Sequence, residues 1–343
     1  YSLNSAALNI TQRVLGSSGS RVYDGTTNAS NSDLALSNLV GSETLTLSGT
    51  GTIASKNVSS NKTVTLNTLA IADGSNGGLA ANYTLSGGTH QLTVSQRPVN
   101  VSGTRLYNAL ATAVASDLST MTNLVGSETL TLSSNGTIAS KDVGSNKTVT
   151  IGSLSLGNGS NGGLAANYTL TGGTHRLTVN QRPLNATLAR QYDGTTTAAG
   201  STLSSFDALQ GGETLTMTGS GTAASANVAN GIAMSSNGTL ALADGTGLAS
   251  NYSLNSTVIN IAQRVLNSSG SKTYDANTDA LAGAITLSNL VSGEALNHSG
   301  TATISSANAG SYTITNLSGI SIADGSGGTA SNYTLTGGTH NFT

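Results

Sequence analysis

One dipeptide, Asn-Tyr, recurs as Asn82-Tyr83, Asn167-Tyr168, Asn251-Tyr252 and Asn332-Tyr333, each time followed by Thr or Ser and then Leu. Tyr1 opens a further copy. The successive tyrosines are 82, 85, 84 and 81 residues apart. A fixed period constrains a chain more than composition can, because it makes the molecule an array of one supersecondary unit. The 343 residues divide into the final strand of a preceding repeat, 1–13, and four repeats, 14–97, 98–182, 183–264 and 265–343. The fourth stops before the Gln-Arg that closes the others. Residues 1–13 match 252–264, and the match runs on into Val14-Leu15 and Val265-Leu266. Position 1 thus falls inside a repeat, and a longer parent chain is expected.

Within a repeat the pattern is that of short strands. Glu43-Thr44-Leu45-Thr46-Leu47-Ser48 alternates polar and apolar, as a half-buried strand does. Thr52–Ser55, Lys62–Leu66, Tyr83–Leu85 and Gln91–Val94 read likewise, separated by Gly, Asn, Asp and Ser. Asp24-Gly25 and Asp193-Gly194 are turn formers. Residues 109–121, rich in Ala and Leu, are compatible with a short helix. Tandem all-β, immunoglobulin-like sandwiches of about 84 residues follow as the expected fold. The rival is a β-helix, but its sub-period of about 20–25 residues is absent. The two prolines, Pro98 and Pro183, directly follow Gln-Arg at repeat ends, and no Gly/Ser or Pro run separates the units. A stiff rod is expected.

Composition narrows the function classes. Charged residues are 8% of the chain and the net charge is −2, which excludes the basic stripe that nucleic acid requires. No apolar run is long enough to span a membrane. The hydrophobic 36% is patterned, so the abundant Gly, Ser, Thr and Asn point to a folded, neutral β protein rather than disorder. Absence of Cys suits a bacterial surface protein better than a disulfide-bonded extracellular module.

Tyr23-Asp24-Gly25, Tyr192-Asp193-Gly194, the Gly-Ser-Glu-Thr-Leu blocks at 41–45 and 126–130, and the late Asn-Tyr-Thr-Leu strand together resemble the YDG and MBG repeat domains of large bacterial filamentous-haemagglutinin-like exoproteins. Asn308–Ile314 is similar to the corresponding MBG strand. The resemblance covers the whole chain. It implies export from a Gram-negative bacterium by two-partner secretion, display at the cell surface, and a stalk role in adhesion or biofilm formation. Tyr107-Asn108-Ala109 and Tyr274-Asp275-Ala276 depart from the signature.

Nine of the ten tyrosines hold two repeat-locked positions. Tyr23, Tyr83, Tyr107, Tyr168, Tyr192, Tyr252, Tyr274 and Tyr333 are therefore expected as aromatic anchors of the repeat cores, each with a partner for its hydroxyl. His90, His175 and His340 occur once per repeat, too far apart in sequence to share a metal, and His298 stands where other repeats have Leu or Met. Asp73, Asp244 and Asp324 precede Gly in a loop without the carboxylate cluster that calcium needs. Glu43, Glu128, Glu213 and Glu294 recur in every repeat with no second carboxylate beside them. They read as gatekeepers against strand addition. No catalytic, cofactor-binding or metal-binding residue is expected, and no enzyme activity. The expected partners are other repeats of the same chain, with self-association or host or matrix glycans as further candidates. The alternative to a stalk is a binding module for glycan, ice or another copy, using the rows Thr44/Thr46, Thr129/Thr131 and Thr214/Thr216.

Overall fold

The computed structural model describes residues 7–343. Tyr1 and the rest of 1–6 lie outside the described residues. The chain divides into two compact units, one of residues 1–106 with 110–180, the other of 107–109 with 181–343. Each holds two repeats, and each repeat is an all-β sandwich.

The first repeat sets the pattern. Its strands are β1 (Arg13–Val14), β2 (Gly16–Val22), β3 (Asn28–Ser30), β4 (Leu34–Ser37), β5 (Leu45–Ser48), β6 (Thr50–Ile53), β7 (Ser59–Thr65), β8 (Ala70–Asp73), β9 (Tyr83–Thr84) and β10 (His90–Ser95). A six-stranded sheet runs in the order β3-β6-β7-β10-β2-β4, and β5 pairs with β8 as a separate ribbon. All pairs in the sheet are antiparallel except β10 with β2, where His90–Ser95 lies alongside Ser17–Val22 in the same direction. The repeat's last strand, β10, thus lies beside its second, β2, inside the sheet. Antiparallel hairpins of this kind are incompatible with the coils of a β-helix.

That central strand, Gly16-Ser17-Ser18-Gly19-Ser20-Arg21-Val22, has almost no apolar content. Its composition follows from crowding. A short 3-10 turn, Asn31–Asp33, lies against it, and a Cβ at Gly19 would stand 1.7 Å from the Asp33 carbonyl oxygen. Gly103 meets Asp117 in the same way at 1.8 Å. Only glycine passes there. Residues 109–121 are not a helix: Thr112–Val114 is a strand, Ala115–Asp117 the equivalent 3-10 turn, and Thr120–Thr122 another strand. Arg105 donates to the carbonyls of Leu110 and Thr112 and pairs with Asp117 at 3.1 Å, which ties this segment to the central strand.

The repeat ends without a linker. After β10, β11 (Arg97–Pro98) pairs in parallel with Tyr168–Thr169 of the second repeat, then leads directly into that repeat's central strand, Asn100–Leu106. The pairing repeats β1 with β9. The chain thus leaves one sheet by bonding to the next repeat's Asn-Tyr strand. Arg97 fixes the crossing by donating to Asn123, from Nε to its carbonyl at 2.7 Å and from Nη2 to its side chain at 2.6 Å.

In the second unit the core of the third repeat, including Leu188, Met217, Ile259 and Ile261, is continuous with Tyr192, Leu266 and Tyr333. Leu266 and Tyr333 belong to the fourth repeat. That repeat has its own further core around Ala280, Ile304, Ile314 and Phe342. Among the described residues no helix is long and apolar enough to cross a membrane.

Candidate functional site at the joints between repeats

The repeat-locked tyrosines meet one another across repeats. Tyr23 is fully buried, yet its hydroxyl donates to Glu128 Oε1, in the following repeat, at 2.7 Å. Tyr168, of that same following repeat, donates to the other oxygen, Glu128 Oε2, at 2.7 Å. The two rings stand edge to face, 5.4 Å between centroids at 78°. Tyr168 also accepts from the Val125 N–H at 3.0 Å, so its hydroxyl is fully used. One carboxylate is thereby shared between two tyrosines of adjacent repeats.

The arrangement recurs. In the second unit Tyr107 donates to Glu213 Oε1 at 2.6 Å and Tyr252 to Glu213 Oε2 at 2.9 Å, with rings 5.3 Å apart at 78°. Tyr192 donates to Glu294 Oε1 at 2.6 Å and Tyr333 to Glu294 Oε2 at 2.5 Å, with rings 5.4 Å apart at 79°. Charged hydrogen bonds out of water are worth more than neutral ones, and edge-to-face rings add about 0.5–1.5 kcal/mol. Glu43 makes half of the constellation, accepting from Tyr83. Tyr274 makes the other half alone and is 64% exposed.

The asparagine of the dipeptide supplies a second lock. Asn167 accepts from the Val58 N–H of the preceding repeat at 2.9 Å and donates to Asn57 Oδ1 at 3.0 Å. Asn332 does the same to Val228 and Asn227, at 2.9 and 3.0 Å. Asn167 and Asn332 are fully buried, whereas Asn82 is exposed. At the first joint Lys56 adds a bond to Glu128 Oε1 at 2.9 Å.

The electrostatics follow from this geometry. Burial alone would raise the Glu128 carboxyl, but hydrogen bonds from Tyr168, Lys56 and Tyr23 outweigh it and hold the group below its ordinary value. Burial and then the Glu128 hydrogen bond push the Tyr168 hydroxyl up to about 12. Tyr252 and Tyr333 are pushed up to about 12 by burial, with Glu213 and Glu294 reinforcing it.

Glu128, Glu213 and Glu294 are thus not gatekeepers of a sheet edge. They precede the ribbon strand and point into the joint, where a charge is tolerated because two hydroxyls satisfy it. Sequence reasoning placed Glu and Tyr on the same period but did not join them, since the two tyrosines of Glu128 lie 40 and 105 residues away in sequence. Asn57 reads in the sequence only as part of a sequon, Asn57-Val58-Ser59, and Asn227 carries no reading at all. Their signal in the sequence is the recurrence of Asn at that place in three of the four repeats, as Asn57, Asn227 and Asn308.

The remaining candidates fall elsewhere. Nε2 of His90, His175 and His340 lies 2.8, 2.8 and 2.9 Å from the carbonyls of Leu85, Leu170 and Leu335, so it carries the proton. Ser17 and Ser268 meet Nδ1 of His90 and His340; the second repeat has Val101 at that place, leaving His175 Nδ1 without a partner. His298 is half-buried and bonds the carbonyls of Ala282 and Ile285. Asp73, Asp244 and Asp324 each accept the backbone N–H of the residue opening the turn before Asn-Tyr, at 2.7 Å. Among the described residues no group of His, Cys, Asp and Glu could hold a metal. The Thr rows are exposed, but Thr44 and Thr129 bond Ser75 and Ser160, and Thr46, Thr131 and Thr216 reach carbonyls of the paired strand.

The profile of one family, described as the YDG domain, matches residues 6–93, 89–175, 176–259 and 262–340. No curated protein and no solved structure matches the chain.

Proposed function

Because the chain belongs to the YDG domain family, as four copies in tandem, we propose that it is a structural spacer. In this reading it is a stalk segment of a large secreted adhesin at the surface of a Gram-negative bacterium, exported by two-partner secretion, holding a binding region away from the cell during adhesion or biofilm formation. The observation that carries the reading is the shared carboxylate. Glu128, Glu213 and Glu294 each take one hydroxyl from the preceding repeat and one from their own. A chain whose recurring polar chemistry is spent on joining its own repeats is built to transmit position rather than to bind or transform a ligand.

Composition supports the same reading. Thirteen Lys and Arg in 343 residues leave few sites for basic-residue proteases. The absence of Cys removes any dependence on oxidative folding during export. The alternative, a module binding glycan, ice or a second copy through Thr44/Thr46, Thr129/Thr131 and Thr214/Thr216, draws less support because those hydroxyls already bond to neighbouring backbone and side chains. Negative-stain electron microscopy of the four-repeat chain tests the spacer: equal beads in an extended line are expected, and a compact globule would sink the reading.

A further inference from the structure

The joint exists in two steric forms. The residue that follows Tyr-Asp or Tyr-Asn is Gly25, Ala109, Gly194 or Ala276, in every repeat at positive φ (80°, 62°, 76° and 61°). The residue that opens the loop before the shared Glu is Val40, Val125, Gln210 or Val291. Where glycine stands, valine lies directly on it. A Cβ at position 25 would be 2.6 Å from Val125 Cγ1, and one at 194 would be 2.9 Å from Val291 Cγ1. Where Ala109 stands, the facing loop is Gln210-Gly211. The Gln210 amide folds back to the carbonyls of Ala208 and Leu209, and a Cβ at Gly211 would come within 2.8 Å of Ala109 Cβ. Glycine is paired with valine, and alanine with Gln-Gly.

We propose that this size matching selects which repeat can follow which: a repeat with Gly after Tyr-Asp accepts a following loop that reads Val-x-x-Glu, as at Gly25/Val125 and Gly194/Val291, and one with Ala there accepts a loop that reads Gln-Gly-x-Glu, as at Ala109/Gln210.

The inference stands on the joint rather than on the spacer role, so failure of either leaves the other to be judged separately. Within the chain, Gly25→Ala should lower the thermal midpoint of the first unit, and Val125→Gln in the same chain should restore it. A double variant no better than Gly25→Ala overturns the pairing rule.

Discussion

At the scale of single residues, the joint is a polar cluster made tolerable by saturation. Glu128 is buried, and both its oxygens accept from tyrosines. Tyr168→Phe would keep the ring and its edge-to-face partner but remove a donor from a buried carboxylate. A loss of about 1.5–3 kcal/mol is expected, read as a lowered denaturation midpoint. Tyr168→Ala should cost more, about 3–5 kcal/mol, because the ring's packing goes too. Equal costs would mean that the hydroxyl carries nothing. The joint also has a pH signature. Tyr168, Tyr252 and Tyr333 keep their protons up to about pH 12 in the folded chain, against the ordinary 10. The unfolded chain releases them first, so the folded state holds more protons between these values and stability falls as pH rises. The stabilisation is complete below the ordinary value and gone above about 12. Tyrosinate absorbance followed with circular dichroism should show late ionisation coinciding with unfolding.

At the scale of elements, the central strand of each sheet is the least strand-like stretch in the repeat. Residues 16–22 contain one apolar side chain, yet this strand pairs on both sides and closes the sheet against the last strand. Its glycines answer to crowding rather than to propensity. Gly103→Ala is expected to prevent the 3-10 turn at Ala115–Asp117 from seating, since the Cβ would meet backbone that cannot swing away. Limited proteolysis should then cut the second repeat. Wild-type resistance in this variant would mean that the turn can shift. The ribbon strands, by contrast, follow their alternation: Leu45–Ser48 and Leu130–Ser133 alternate half-buried and exposed positions as their sequence implies.

At the scale of the whole molecule, stability is shared along the chain in neighbouring pairs. The continuous core through Tyr192, Leu266 and Tyr333 joins the third and fourth repeats, which are therefore expected to melt together. A repeat array of this kind stores part of its stability in nearest-neighbour interfaces. Glu294→Ala should therefore do more than lower a midpoint. It should split the transition of the second unit, because the carboxylate is the atom group common to both repeats. Calorimetry would show one broadened or divided peak; a single sharp peak merely displaced would place the coupling in the apolar core instead.

The amino-acid sequence by itself determined the period, the four repeats, the all-β class and the strands whose side chains alternate, because those depend on neighbours a few residues away. The absence of a linker was legible at Gln96-Arg97-Pro98, where no flexible stretch intervenes. The central strand was not legible, since its Gly-Ser composition reflects a turn packed on it rather than any local preference. The role of the Asn-Tyr dipeptide was half legible. Its recurrence marked it as an anchor of the repeat. That it anchors one repeat to the next, through a glutamate shared with a tyrosine of the preceding repeat and an asparagine lock, was decided by the tertiary structure alone. Tyr23 and Tyr274 make the reason plain: they hold the same position in their repeats, yet Tyr23 is buried against Tyr168 and Glu128 of the following repeat while Tyr274 is exposed.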